Sequence, residues 1–155
     1  MPVDITGKNI RLGISLSDLY KKLATYPVKG AYVFLDACFS GGYKSAAPLL
    51  AQKGVRVVPK VGLPQGNTLS FSSSSGDQTS SVYHEKKQGY YTYFLIKTIR
   101  DAKGNISMKE LFDRTSAAVK RATALIDKIQ EPQCMASPTW IGWEDIKLET
   151  PVVTP

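Results

Sequence analysis

Apolar and polar positions along the chain switch between two periods. Over residues 13–25, Leu16, Leu19 and Leu23 recur at helical spacing, and Ser15 with Asp18 forms a capping-box-like S-x-x-D at the start. That pattern predicts an amphipathic helix, closed by Pro27 and Gly30. Ala31-Tyr32-Val33-Phe34-Leu35 follows as a short, unbroken apolar run between Gly30 and Gly41-Gly42. It predicts a strand buried on both faces of a parallel sheet. A short helix is expected over 44–52, with strands at 55–58 and 67–71. The stretch 72–81, rich in Ser, Gly and Asp, reads as a loop bracketed by structure.

The second half is more helical. A helix over about 89–102 would bury Tyr91, Phe94, Leu95 and Ile99, and Gly104-Asn105 turns the chain. Ser107 and Glu110 then form a second capping box. It opens a helix expected to reach about 129, with Leu111, Ala118, Val119, Ala122, Leu125, Ile126 and Ile129 as its stripe. Residues 131–136 read as a loop and 140–148 as a last strand. Strands alternating with helices imply an α/β sandwich with a mostly parallel sheet, whose sites form at the carboxyl ends of strands. The domain is expected over 1–149, with the Pro/Thr-rich 150–155 as tail or linker.

Composition narrows the function classes. The net charge of +7 is spread over short basic pairs such as Lys21-Lys22 and Lys86-Lys87, a solvated surface and no specific nucleic-acid site. No run approaches the roughly 18 apolar residues of a membrane span. Two cysteines, Cys38 and Cys134, make no disulfide framework, and free thiols fit their unlike surroundings. A cytoplasmic location is favoured, although nothing in the sequence fixes the compartment. Scattered carboxylates show no metal-ligand spacing, so no cofactor is expected. Ser72 to Ser75 lack a G-x-S-x-G elbow and read as loop residues.

One strand end carries chemistry: Leu35-Asp36-Ala37-Cys38-Phe39-Ser40-Gly41-Gly42. The apolar strand delivers an acid and a thiol to the sheet's edge, and glycines there permit a sharp turn and close approach of a ligand. Read alone, Cys38 is either a small buried hydrophobe or a nucleophile that a nearby base converts to thiolate.

The string V-F-L-D-A-C-F-S-G-G resembles the nucleophile motif of caspase-like peptidases of the metacaspase and orthocaspase type. Two more blocks resemble the same family in the same order: Ser75-Gly76-Asp77-Gln78-Thr79-Ser80, with its D-Q-T-S core, and Gly89-Tyr90-Tyr91-Thr92-Tyr93-Phe94-Leu95. The resemblance implies a caspase-like three-layer sandwich and a cysteine endopeptidase acting through a Cys-His dyad. Cys38 matches the nucleophile. Asp36 and Asp77 match the acidic pair of the primary specificity pocket, which selects Arg or Lys before the cut in a protein or peptide substrate. Calcium activation, known for some metacaspases, is left open and unlocated.

In the family, a His-Gly motif precedes the cysteine, whereas no histidine precedes Cys38 in this chain. The fold is accordingly expected to be incomplete, lacking its first strands. The base would lie on an upstream segment or a companion chain, and self-association is open. The single histidine, His84, is a solvent-exposed loop residue, a rim residue or the general base. Cys134 carries no mark of reactivity. The competing function is a caspase-like scaffold that has lost its base.

Overall fold

The computed structural model describes residues 14–37, 62–75, 78 and 80–148. The helix expected over 44–52 and the strand expected over 55–58 lie outside them.

Helix α1 spans Leu16–Ala24, and Ser15 caps it by accepting from the Asp18 N–H (3.4 Å). Strand β1 spans Ala31–Leu35 and pairs in parallel with β2, Thr68–Ser72. Two short strands follow, β3 (Val82–Tyr83) and β4 (Gln88–Gly89), paired as a small ribbon around a 3-10 turn at His84–Lys86. Helix α2 (Tyr90–Asp101) and helix α3 (Met108–Ala124) come next. Strand β5, Gln133–Ala136, then returns antiparallel to the free side of β2. The sheet order among the described residues is β1-β2-β5.

Alternation along β2 sets the layers. Side chains two apart share a face of a strand. Leu69 and Phe71 point to one side and pack with Tyr91, Ile106, Met108, Leu111 and Val119 under α2 and α3. Ser70 points to the other, where the buried Tyr20 of α1 donates its hydroxyl proton to Ser70 Oγ (2.8 Å). Helices therefore cover both faces, which gives the three layers that the sequence implied. β2 is buried at every position because it is central.

Several expectations are corrected. β1 is not buried on both faces: Phe34 stays 40% exposed while packing edge-on against Phe71 (5.4 Å). Gly30 does not stop the helix, which ends at Ala24. A Cβ there would instead run into the Trp140 ring, which covers this end of the sheet. α3 stops at Ala124 rather than near 129. Asp127 adopts a left-handed conformation (φ 54°), and Lys128 N–H returns to the Thr123 carbonyl (3.0 Å), leaving Leu125, Ile126 and Ile129 exposed. The last strand is Gln133–Ala136, not 140–148. The latter stretch forms turns, a 3-10 segment at Trp143–Asp145 and one bridge, Ser107 to Lys147. Gly142, at φ 78°, breaks its extension.

Candidate functional site

The carboxyl end of β1 is anchored from β2. Ser73 N–H donates to the Leu35 carbonyl (2.8 Å), and Ser73 Oγ donates to the Ala37 carbonyl (3.4 Å), one residue before Cys38. Cys38 itself lies outside the described residues, as does Asp77. Asp36 is described. Strand alternation continues past Leu35, so its side chain follows Tyr32 and Phe34 onto the α2 side of the sheet.

There the carboxylate meets three donors. Ser80 Oγ donates to Oδ1 (2.5 Å), while Thr92 Oγ1 (2.6 Å) and the Thr92 backbone N–H (3.3 Å) donate to Oδ2. Thr92 sits in the first turn of α2, whose N-cap is Gly89 and has no side chain to offer. Asp36 supplies the missing cap from a neighbouring strand, where the positive end of the helix dipole favours an anion. A Cβ at Gly89 would collide with the carboxylate, so glycine is what leaves room for it. The Asp36 side chain nevertheless remains exposed on its open side.

The three blocks singled out in the sequence thus meet at one group. Asp36 comes from the block before Cys38, Ser80 ends the D-Q-T-S block, and Gly89 and Thr92 belong to the third.

The Ser-rich loop is fastened from behind by residues that the sequence reading passed over. Gln130, 1% exposed, donates from Nε2 to the Ser73 carbonyl (2.9 Å) and accepts at Oε1 from the Ser81 N–H (2.9 Å). One amide side chain therefore ties the two ends of the loop together. Gln78 adds a reciprocal pair with Glu131, accepting from its N–H (2.8 Å) and donating to its carboxylate (3.2 Å). Ser72, expected in the loop, is instead the last residue of β2, while Ser73 to Ser75 lie beyond the strand; Ser72 and Ser74 donate to the carbonyls of Ser74 and Gln78. No local pattern marks Gln130, because its partners lie 49 and 57 residues away.

Beside this cluster, Tyr83 and Tyr90 stack face to face (4.4 Å, 2°), with Tyr93 edge-on to Tyr83 (5.1 Å). Tyr91 points inward. Its hydroxyl is buried with no hydrogen-bond partner among the described residues, and burial, then the charges of Asp36 and Cys134, push its pKa up. Cys134, read as a loop residue, instead lies in β5 opposite Phe71. It is a free thiol, and burial pushes its pKa up to about 12. His84 is exposed in the turn between β3 and β4. Among the described residues no group of three or more His, Cys, Asp or Glu side chains is arranged to hold a metal ion. None of their helices is long and apolar enough to cross a membrane.

Comparison with protein-family models matches residues 1–139 to the caspase domain. A search of curated proteins found no match.

Proposed function

The chain belongs to the caspase-domain family of cysteine peptidases, and from that premise we propose that it is the nucleophile-bearing part of a metacaspase-type endopeptidase that cuts after Arg or Lys. The observation that carries this reading is the convergence of Ser80, Gly89 and Thr92 on the Asp36 carboxylate, two residues before Cys38. A hydrogen-bonded but exposed carboxylate beside the strand end suits a cationic side chain. Asp77, next to the tethered Gln78, is the second acid of the proposed pocket.

Cys38 is the proposed nucleophile. Its thiolate attacks the carbonyl carbon of the peptide bond, and the tetrahedral oxyanion is met by backbone N–H groups that include its own. As the C–N bond breaks, a histidine imidazolium gives the leaving amine its proton. Water activated by the same imidazole then hydrolyses the thioester. His84 is exposed on a turn, so the proposed base is a histidine supplied from outside these residues, on a companion chain or adjoining segment.

The test is covalent. A peptidyl acyloxymethyl ketone with Arg at the cleavage position should label Cys38 in the assembled protein, leave Cys134 unmodified, and lose its target in Cys38→Ala. His84→Ala should label normally. Equal modification of both cysteines would overturn the nucleophile assignment. An Asp-directed probe outcompeting the Arg probe would overturn the specificity and leave Cys38 standing. No labelling by either probe would favour the scaffold reading.

A further inference from the structure

Asp36 is exposed, yet it is not a freely rotating surface acid. Oδ2 already accepts two hydrogen bonds, both from Thr92, and Oδ1 accepts one from Ser80. A carboxylate has about four acceptor positions, so about one is left after these three among the described residues. The donors come from the first turn of a helix and from a loop whose ends Gln130 clamps. Both supports are built from contacts within the chain itself.

We propose that Thr92 and Ser80 are positioning residues for the substrate's cationic side chain: they hold the Asp36 carboxylate in the one orientation that offers a free lone pair, and Gly89 is the gap that lets the carboxylate stand there. This rests on the reading of Asp36 as the acceptor of an Arg or Lys side chain. It adds that specificity belongs to the helix cap as much as to the acid. An aspartate without these donors would have to be ordered anew each time a ligand bound, and ordering a side chain weakens binding. The Thr92 hydroxyl is the clearer of the two handles. Thr92→Val removes it while keeping shape and the backbone N–H, and Thr92→Ser restores it.

The readout is a ratio of affinities, measured calorimetrically on the full chain. The probes are two short peptide amides that differ only in carrying C-terminal arginine or its neutral isostere citrulline. The wild type should prefer arginine, and Asp36→Asn should abolish the preference. Thr92→Val should reduce it by roughly three- to tenfold, and Thr92→Ser should return it to within about twofold of wild type. A general loss of folding would weaken both peptides alike and leave the ratio unmoved. If Asp36→Asn abolishes the preference but Thr92→Val leaves it intact, the positioning role is overturned and the acidic pocket stands. If the wild type shows no preference, or Asp36→Asn retains it, the acidic pocket falls and the positioning role with it.

Discussion

Strands β1 and β5 lie on opposite sides of β2, and the one ends in polar contacts where the other packs on the core. β1 runs out of the sheet into polar contacts: Asp36 takes three hydrogen bonds, and Ser73 holds the backbone on either side of it. Cys134 sits within β5, opposite Phe71 and packed against the apolar core. A thiolate is stabilised by donors and positive charge and is disfavoured by apolar burial. Apolar burial therefore disfavours the Cys134 thiolate, whereas the polar contacts at the end of β1 hold a carboxylate in place.

The sharpest way to break this contrast is a generic alkylating agent at pH 8. With its pKa pushed up to about 12, Cys134 should carry a thiolate fraction on the order of a thousandfold below that of an ordinary thiol near 8.5. Iodoacetamide labelling followed by mass spectrometry should accordingly find Cys134 unmodified in the native protein and fully modified in denaturant. Rapid native labelling would show that the strand does not shield it.

Next in size is the clamp behind the polar end. Gln130→Ala removes two hydrogen bonds at a buried position and strands the Ser73 carbonyl and the Ser81 N–H. The expected cost is about 2–3 kcal/mol, equivalent to a fall in Tm of roughly 5–10 °C. Hydrogen exchange should quicken over residues 73–81 before it does in β5. A uniform increase across the sheet would mean that Gln130 serves the core and not the loop.

The smallest effect concerns alkaline pH. Cys134 and Tyr91 both have pKa values raised by burial, so in the folded state each stays neutral where the unfolded chain has ionised. Their contribution is fully present below the unfolded values, about 9 for the thiol and 10 for the phenol. It is lost as pH climbs through the folded ones. Stability should therefore be flat in these groups up to about pH 8.5 and fall beyond it, with Cys134→Ala shallower between pH 9 and 11. An unchanged slope would remove Cys134 from the alkaline transition.

The two regions also differ in how far they could be read from the sequence. The three blocks around Asp36 were legible one at a time, as resemblances in the right order. That they converge on one carboxylate was not, since Asp36 and Thr92 are 56 residues apart. The resemblance makes Asp36 a pocket residue and says nothing of a structural role. The fold also makes it the cap of a distant helix, so Asp36→Asn should cost some stability as well as recognition. β5 was misread because its hydrophobicity is modest. It becomes a strand through the unpaired edge that β2 presents, and an open edge seeks a partner.

What the sequence determined by itself was local. The strand 31–35 came from an unbroken apolar run, and the starts of α1 and α3 came from Ser15 and Ser107, each accepting from an N–H three residues on. Such bonds need only neighbouring residues, so a short window encodes them completely. The tertiary structure decided the rest. It turned the chain at Asp127 in spite of the apolar stripe beyond, leaving Leu125 and Ile129 in solvent. That turn carries Gln130 into its buried place behind the loop. Hydrophobic periodicity records which side chains can be buried. Which of them are buried depends on surfaces that exist only once distant segments have met.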